Sequence, residues 1–195
     1  MMINKFIIFI FICLLSFLVG AIPSGYLFAK WYGISDVRTI GSGNIGASNV
    51  GRALGWKAFI MVFLLDALKA IIVLLWAQLF VSSFILLVII AFGVLIGNCF
   101  SPFLQFNGGK GVATLMGIIG VFSPLVMCCA VVIWLIAVAL TKVPAIASLC
   151  TLCTLPFLSY CFISISFIPF LLAASFIVLW RHKQNFKLLK LHYFF

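Results

Sequence analysis

The sequence is poor in acidic and titratable side chains. Its 195 residues include two aspartates, Asp36 and Asp66, no glutamate, and two histidines, His182 and His192. A paired-carboxylate mechanism or a carboxylate-bound metal needs more acidic groups close together. No His and Cys residues have the spacing of zinc ligands, and no Gly-x-Ser-x-Gly segment indicates a hydrolase. We therefore expect no metal, no organic cofactor, and chemistry that depends on positioning and on stabilising negative charge.

Charge is also scarce: 7% of the residues are charged, whereas 67% are hydrophobic. A soluble domain of this length could not cover so much apolar surface with so few charges. The apolar residues form long unbroken runs and do not alternate with polar ones, which argues against a membrane β-barrel. The composition therefore predicts an all-α, polytopic membrane helical bundle, formed by a single domain over residues 1–195.

A membrane-spanning helix needs roughly 20 predominantly apolar residues, and the apolar runs of this sequence predict about seven such spans. The run Val112–Leu140 is too long for one crossing, and we divide it at Ser123-Pro124 into two short helices. The other predicted spans are Phe6–Ala29, Lys57–Trp76, Ser83–Gly97, Pro144–Cys161 and Phe167–Trp180. The first run is longer than a usual cleavable signal-peptide core, so we expect it to be retained.

The basic residues predict the orientation of the bundle. With seven spans, one side of the membrane receives Lys30, Arg38, Arg52, Lys57, Lys110, Lys142, Arg181, Lys183, Lys187 and Lys190. The opposite side receives Lys5. The positive-inside rule makes the first side cytoplasmic, which places the amino terminus outside and the carboxyl terminus in the cytoplasm. The net charge of +10 does not indicate nucleic-acid binding, because these charges lie beside spans. Membrane lipids and phosphorylated substrates are the expected partners.

The first polar segment, Gly41–Arg52, has the sequence Gly-Ser-Gly-Asn-Ile-Gly-Ala-Ser-Asn-Val-Gly-Arg. Closely spaced glycines allow backbone N–H groups to converge on one anion. The candidate phosphate-binding residues are Ser42, Gly43, Asn44, Asn49 and Arg52, of which the arginine can bind two phosphate oxygens. An ordinary Gly/Ser/Asn turn between two helices is the alternative. An arginine among so many small donors favours anion binding.

The second polar segment, Asn107–Gly111, directly precedes an apolar helix that starts at Val112. It brings a lysine and three glycines to a helix N-terminus, where unpaired N–H groups and the helix dipole favour an anion: Gly108, Gly109, Lys110 and Gly111. The segment lacks the spacing of a nucleotide-binding P-loop, so it does not imply ATP hydrolysis. A lysine that merely lies at the headgroup level is the alternative.

Two further polar groups lie at the end of the last span and within the second. In Arg181–Asn185, His182 and Asn185 are three residues apart and share a face if the helix continues. Such a basic stretch is more often a topology anchor than a site. Asp66 and Lys69 also share a helical face, and charges inside a membrane usually pair or serve function. A structural ion pair is the favoured interpretation, and a proton or ion path is the alternative.

Taken together, these segments resemble the small bacterial integral-membrane glycerol-3-phosphate acyltransferases that use acyl phosphate as the donor. The family pattern Gly-Ser-Gly-Asn-x-Gly-Ala-Thr-Asn-x-x-Arg matches Gly41–Arg52, with Ser48 where threonine is usual. The pattern Phe-x-Gly-Gly-Lys-Gly-Val-Ala-Thr matches Phe106–Thr114, and Arg-His-x-x-Asn matches Arg181–Asn185. The motifs occur in order along the whole chain, together with Ile22–Tyr26 and Asp66–Lys69.

The chain departs from the family pattern before the second motif. Asn98 follows Gly97 where the family usually has histidine, and Ser101 follows Phe100 where proline is usual. Asparagine does not titrate near neutral pH, so residue 98 cannot act here as an acid or a base. Asn107 replaces a residue that is often basic, which weakens the attraction for anions slightly.

The resemblance implies transfer of a fatty acyl group from acyl phosphate to the sn-1 hydroxyl of glycerol 3-phosphate. The products are 1-acylglycerol 3-phosphate (lysophosphatidic acid) and phosphate. It also implies a bacterial cytoplasmic (inner) membrane location with the active site on the cytoplasmic face. An enzyme that supplies acyl phosphate is a candidate partner.

For this reaction, the chemical types of the residues suggest their roles. The expected catalytic residues are Ser42, Arg52, Lys110, His182 and Asn185, the first three binding phosphate and the last two orienting glycerol 3-phosphate. The expected substrate-binding residues are Gly43, Asn44, Asn49, Gly108, Gly109, Gly111 and Thr114. The hydroxyl proton passes either to a phosphate oxygen of the donor or to His182, and both routes stay open. An acyl phosphate is already activated, so a covalent enzyme intermediate is not required.

Two other function classes compete with this one. A small anion or phosphate-ester transporter would use the same loops and would treat Asp66 and Lys69 as part of a proton path. Such transporters often contain paired repeats with helices broken at the midplane, and no repeat is visible here. A structural membrane subunit would not need so many phosphate-suited residues.

Overall fold

The structure, a computed structural model, describes residues 2–183. Over that range the regular elements are nine α-helices and three short 3-10 helices, with no strand. The α-helices are α1 Met2–Ala21, α2 Ser24–Trp31, α3 Ala47–Leu54, α4 Trp56–Gln78, α5 Phe84–Cys99, α6 Val112–Phe122, α7 Pro124–Thr141, α8 Pro144–Phe162 and α9 Ile168–Arg181. The predicted all-helical membrane bundle is confirmed.

Seven apolar helical segments of the described chain correspond to the seven predicted spans. Five are long and apolar enough to cross a membrane: Phe6–Trp31, Trp56–Gln78, Phe84–Leu104, Pro124–Thr141 and Pro144–Phe162. The other two, Val112–Phe122 and Ile165–Arg181, are shorter than a full crossing. The division at Ser123-Pro124 is confirmed, because α6 ends at Phe122 and α7 begins at Pro124. The number of spans and the orientation of the termini stay predictions.

The first predicted span is not one continuous helix. It breaks between α1 and α2 at Ile22-Pro23, because proline has no backbone N–H to continue the helical hydrogen bonds. The break leaves the Ile22 carbonyl available to a side chain from another helix. Lys69 Nζ donates to it at 3.1 Å. The kink thus becomes part of a polar network in the bundle interior.

The helices approach closely where glycine replaces a side chain. A Cβ on Gly97 of α5 would overlap the carbonyl of Phe17 on α1, and a Cβ on Gly117 of α6 would overlap the carbonyl of Ala67 on α4. Small residues allow membrane helices to pack with little space between their backbones. The α1–α5 and α4–α6 pairs, together with α7–α8, therefore form the main contacts of the bundle.

The segment between the first and second spans is folded onto the bundle. It contains α3, and a small apolar cluster packs it against α4 through Val37, Ile45, Val50 and Val62. All four of these side chains are buried. This cluster holds the first glycine-rich segment in place, so that segment is more than a simple turn between two helices.

Candidate functional site

A cavity lies beside α3, α4, α6, α7 and α8 and has an empty volume of about 1080 Å³, including its open mouth. Its polar lining comes largely from the loops and helix ends: Ser42, Asn44, Ser48, Asn49, Arg52, Asp66, Asn98, Lys110 and His182. Its apolar lining comes mainly from the helices: Phe59, Phe63, Met116, Val131, Trp134, Leu135, Pro144 and Ala145. A concave site that joins a few polar groups to an apolar wall is typical of small-molecule sites.

In the first segment, Asn49 holds Ser42 in position. Asn49 Oδ1 accepts hydrogen bonds from the Ser42 backbone N at 2.8 Å and from Ser42 Oγ at 3.2 Å. Asn49 Nδ2 donates to the carbonyls of Val37 and Ile40 at 3.0 and 2.9 Å. All four hydrogen-bonding positions of the amide are therefore used within the protein. Asn49 is thus placed to orient Ser42, and its expected contact with substrate stays a prediction.

Two left-handed glycines allow this segment to turn around Asn49. Gly41 has φ +56° and Gly43 has φ +67°, a region in which other residues are strained. A Cβ on Gly41 would lie 2.5 Å from Asn49 Oδ1. Asn44 continues the turn, because its Oδ1 accepts from the Gly46 N–H at 2.8 Å. Its Nδ2 reaches the Gly108 carbonyl at 3.5 Å, which links the first segment to the second.

The second segment is held from both sides. The Gly109 N–H donates to the Asn98 carbonyl at the end of α5, at 2.8 Å. From α9, Arg181 donates through Nη2 to the Gly108 carbonyl at 2.7 Å and through Nε to the Gly109 carbonyl at 3.2 Å. Arg181 was not among the predicted site residues, although it begins the Arg-His-x-x-Asn motif. Its position in that motif was the available signal.

Gly111 sets the start of α6 directly after this segment. It is the N-cap of the helix, with φ +86°. A Cβ there would lie 2.8 Å from Leu95 Cδ1 and 2.9 Å from Cys99 Sγ. Because neither the backbone conformation nor the space suits a larger residue, glycine is required at this position. The turn brings Lys110 to the cavity at the N-terminus of α6.

Lys110 is a cation of the cavity lining whose pKa is strongly shifted. Its pKa is lowered from 10.5 to about 8, first by burial and then by the nearby positive charges of Arg52 and Arg181. The ammonium group is thus still mostly charged at neutral pH. Cations held close together in a partly buried site favour a bound anion, which would relieve their mutual repulsion.

His182 is buried at the end of α9, with 3% of its surface exposed. Its Nδ1 lies 2.7 Å from the Val178 carbonyl. A carbonyl can only accept, so Nδ1 carries the hydrogen and, in the neutral ring, Nε2 keeps a lone pair. Burial lowers the pKa of His182 to about 4, and Lys110 contributes to that shift. The side chain is therefore a neutral hydrogen-bond acceptor at pH 7.

The predicted site residues fall into three groups. Those in the cavity lining are Ser42, Asn44, Asn49, Arg52, Lys110, Gly111 and His182. Those outside it are Gly43, Gly108, Gly109 and Thr114. The Thr114 hydroxyl is buried in α6 and has no hydrogen-bond partner in the described part of the chain. The third group is Asn185, which lies outside the described residues.

A buried polar network, absent from the predicted site, borders the cavity. Lys69 Nζ donates to Asp66 Oδ1 at 2.8 Å, to Asn98 Oδ1 at 2.8 Å and to the Ile22 carbonyl at 3.1 Å. The predicted Asp66–Lys69 ion pair is confirmed. Asn98, where the family usually has histidine, is an acceptor for Lys69. Asp66 and Asn98 both line the cavity. Between residues 2 and 183, no group of three His, Cys, Asp or Glu side chains could hold a metal ion.

The apolar part of the cavity has aromatic walls. The rings of Phe59 on α4 and Trp134 on α7 stack with centroids 5.9 Å apart and planes at 18°. Phe59 also stacks on Phe63, at 6.2 Å. Trp134 Nε1 donates to Ser148 Oγ on α8 at 3.1 Å, which fixes the indole. The cavity thus combines cations and hydrogen-bond donors with a surface suited to a hydrocarbon chain.

Comparison with known proteins gives one consistent family. The family model described as glycerol-3-phosphate acyltransferase matches residues 10–191. The glycerol-3-phosphate acyltransferase of Endomicrobium trichonymphae is 35% identical, over 89% of this chain and 88% of its own length. That of Clostridium acetobutylicum is 36% identical, over 92% and 94% respectively. That of Leptospira borgpetersenii serovar Hardjo-bovis (strain JB197) is 42% identical, over 83% and 73%.

Solved structures agree with this comparison. The fold is similar to the crystal structure of PlsY (YgiH), an integral membrane glycerol 3-phosphate acyltransferase, in its glycerol 3-phosphate form. The TM-score is 0.85 at 30% identity, over 93% of this chain and 91% of that chain. The lysophosphatidic acid form of that protein gives a TM-score of 0.83 at 29% identity, with the same coverage.

Proposed function

The chain belongs to the glycerol-3-phosphate acyltransferase family, and from that premise we propose that it transfers a fatty acyl group from acyl phosphate to the sn-1 hydroxyl of glycerol 3-phosphate. The products are 1-acylglycerol 3-phosphate and phosphate. One observation carries the proposal: a single cavity combines Ser42, Arg52, Lys110 and His182, from three distant segments, with the aromatic walls of α4 and α7.

The polar lining is suited to phosphate, which both substrates carry. Arg52 and Lys110 supply positive charge, and Ser42 supplies a hydroxyl whose position Asn49 determines. Charge-assisted hydrogen bonds to phosphate are among the stronger polar contacts in proteins. The N-terminus of α6 adds backbone donors and the positive end of its dipole. These groups would also stabilise the phosphate that leaves when the acyl group is transferred.

The apolar lining is suited to the acyl chain of the donor. Phe59, Phe63 and Trp134 line the cavity with their rings, and the exposed side chain of Leu135 also lines it. Exposed apolar residues of a membrane protein face lipid tails. A fatty acyl chain could therefore lie along these rings and continue toward the bilayer, at no cost from exposure to water.

The chemistry requires one bond exchange. The sn-1 hydroxyl oxygen attacks the acyl carbonyl carbon, the bond from that carbon to the phosphate oxygen breaks, and the phosphate leaves with the electron pair. The hydroxyl proton needs an acceptor. A phosphate group has a second pKa of about 6, whereas the pKa of His182 is lowered to about 4. The donor's phosphate is the stronger base, so we assign the proton to it. His182 Nε2 accepts the hydrogen bond of this hydroxyl before the attack and so orients its oxygen, and the hydroxyl hydrogen turns to the phosphate oxygen as the new bond forms.

The remaining elements of the proposal concern location. We place the protein in the bacterial cytoplasmic membrane as one domain, with the cavity mouth on the cytoplasmic face. The water-soluble acceptor reaches the basic loops from the cytoplasm, and the lipid-like donor enters between helices. An enzyme that produces acyl phosphate is a candidate partner at this face. Neither a metal nor a cofactor is needed for the transfer, because acyl phosphate is already an activated mixed anhydride.

The proposal is tested with the purified protein in lipid. Glycerol 3-phosphate is supplied with palmitoyl phosphate, palmitoyl-CoA or palmitoyl-acyl carrier protein, and lysophosphatidic acid and phosphate are measured. We expect turnover with palmitoyl phosphate alone, and its loss in Lys110→Ala and Arg52→Ala. Lys142→Ala is the control, because Lys142 is exposed at the end of α7 and lies outside the cavity lining.

Two results would contradict the proposal in different ways. Turnover only with palmitoyl-CoA or the carrier protein would show that the donor is wrong. No turnover with any donor, from protein that is folded, would make the enzyme assignment wrong for this chain. Uptake of glycerol 3-phosphate by liposomes that contain the protein would then test the transporter alternative.

A further inference from the structure

A carboxylate lines the cavity, and the mechanism above does not use it. The chain has two aspartates. Asp36 is paired with Arg38 at 2.7 Å and is not part of the cavity lining. Asp66 does line the cavity, although only 7% of its surface is exposed. A negative charge in a site for phosphate-bearing molecules needs an explanation, because it repels the group that Arg52 and Lys110 attract.

The Asp66 carboxylate is held in place, but only one of its two oxygens receives a hydrogen bond from the described part of the chain. Its Oδ1 accepts from Lys69 Nζ at 2.8 Å, and Lys69 is fixed in turn by Asn98 Oδ1 and the Ile22 carbonyl. Asp66 Oδ2 has no hydrogen-bond partner within residues 2–183 and is not among their fully enclosed, unpaired polar atoms. Asp66 Oδ2 therefore retains some accessible surface, and Asp66 is a residue of the cavity lining. A nearly buried carboxylate oxygen without a donor is costly unless a ligand or water supplies one.

The charged side chains of the cavity lining favour one orientation of a bound phosphate ester. Arg52 and Lys110 attract the phosphate of a bound molecule, and Asp66 repels it. A carboxylate is at the same time a strong acceptor for hydroxyl groups. A small molecule with phosphate at one end and hydroxyls at the other is thus favoured with its phosphate toward the cations and a hydroxyl on Asp66. Glycerol 3-phosphate is a molecule of this kind.

We propose that the Asp66 carboxylate accepts a hydrogen bond from a hydroxyl of glycerol 3-phosphate and so selects and orients the acyl acceptor. Lys69 and Asn98 are positioning residues that hold the carboxylate at the cavity wall. Asp66 accepts no proton in the reaction. The assignment rests on the proposed function and adds the group that distinguishes the acceptor from other small phosphate esters.

Acceptor selectivity tests the proposal. Glycerol 3-phosphate has two hydroxyls, so one can be acylated while the other donates to Asp66. The single hydroxyl of 2-hydroxyethyl phosphate can be acylated, but no second hydroxyl is left to donate to Asp66. We expect the wild-type protein, with palmitoyl phosphate as donor, to prefer glycerol 3-phosphate in kcat/KM by roughly 10- to 100-fold, the range for one hydrogen bond to a charged group. In Asp66→Asn we expect most of this preference to be lost, with KM for palmitoyl phosphate unchanged.

A double variant separates substrate contact from a structural role of the ion pair. Asp66→Ala/Lys69→Met removes both charges, so no unpaired buried charge is left behind. We expect it to turn over both acceptors with nearly equal kcat/KM. Asp36→Asn is the matched control, because it alters the other aspartate, which lies outside the cavity lining, and its preference for glycerol 3-phosphate should equal that of the wild type.

The outcomes are distinct. No acyl transfer by the wild-type protein would refute the proposed function itself. Transfer by the wild type together with an unchanged acceptor preference in the double variant would overturn the role of Asp66. If the double variant does not fold, Asp66→Asn decides, since it preserves the size of the side chain; an undiminished preference there would equally overturn the proposal.

Discussion

Arg181 Nη2 donates a hydrogen bond of 2.7 Å to the Gly108 carbonyl, although 73 positions separate the two residues in the chain. The end of the last helix thus holds the loop that carries Lys110. Arg181 Nε adds a second bond to the Gly109 carbonyl, and the guanidinium lies 5.6 Å from the Phe100 ring centroid. The geometry of the proposed anion site therefore depends on the carboxyl-terminal motif as well as on the glycine-rich segments.

Replacing this arginine should weaken the site. In Arg181→Ala the carbonyls of Gly108 and Gly109 lose a charged donor, and we expect kcat/KM to fall roughly 10- to 100-fold. Arg181→Lys supplies one donor in place of two and should give an intermediate value. Steady-state kinetics of purified variants measures the effect. The neighbouring Lys183→Ala, an exposed position, is the control. Equal activity of Arg181→Ala and wild type would show that the loop keeps its conformation without the two hydrogen bonds from Arg181.

The lowered pKa of Lys110 predicts a response to alkaline pH. Its value of about 8 means that the ammonium group loses its proton as the pH rises from about 7 to about 9. The positive charge that attracts phosphate is lost over the same range, so KM for glycerol 3-phosphate should rise. A bound phosphate raises the pKa again, which moves the effect to higher pH in the complex.

A pH series of KM measures this response, with Lys110→Arg as the diagnostic variant. Arginine stays charged over the whole range, so the rise assigned to residue 110 should disappear. An identical rise in KM for Lys110→Arg would show that another group titrates.

The environment of His182 predicts that the pH profile of kcat has no inflection near the ordinary pKa of histidine. Burial lowers the pKa of His182 to about 4, so the ring stays neutral above about pH 5 and its Nε2 remains an acceptor. We therefore expect kcat to be unaffected by this group between about pH 5.5 and about pH 7.5. His182→Asn should lower kcat without changing the shape of the profile. An inflection near pH 6.5 that is lost in this variant would instead make His182 a titrating base.

Gly111 provides a test of the turn that presents Lys110. Gly111→Ala places a Cβ against Leu95 and Cys99 and also strains a backbone with φ +86°. Gly33→Ala is the matched control, because Gly33 has φ +85° but nothing within 4 Å of its Cβ position. The strain alone costs about 1–2 kcal/mol in either variant. Thermal unfolding in detergent should show a larger loss of Tm for Gly111→Ala, with loss of activity. An equal decrease in Tm for the two variants would show that Leu95 and Cys99 move aside at no cost in the free energy of unfolding.

The aromatic walls predict control over the acyl chain. Trp134→Ala removes the ring that stacks on Phe59 and is fixed by Ser148. The space that opens should shift the preferred acyl phosphate toward bulkier or longer chains, in a kcat/KM series from C12 to C20. Ile136→Ala, on the same helix but outside the cavity lining, is the control. The same chain-length profile in Trp134→Ala and wild type would show that this ring does not contact the donor.

Several features could be predicted because they follow from local composition. Long apolar runs specify helices wherever no water is available to satisfy the backbone, so the helices from α4 to α9 lie close to the predicted spans. Ser42, Arg52 and Lys110 could be identified because polar, glycine-rich segments are conspicuous in so apolar a chain. The break at Pro23 was missed, since the apolar run continues on both sides of it. The helix α3 was also missed, because its residues are too polar and too few to show an apolar pattern.

By itself the sequence determined the class of the protein, the helical segments and the phosphate-suited residues, because each of these depends on composition and on residues near one another in the chain. The tertiary structure decided which side chains share a cavity. Four residues of apolar helices line this cavity only because of the packing: Asp66, Asn98, Phe59 and Trp134. The physical reason is that lipid and protein interior are both apolar, so a residue facing the cavity and one facing the bilayer have the same sequence signature.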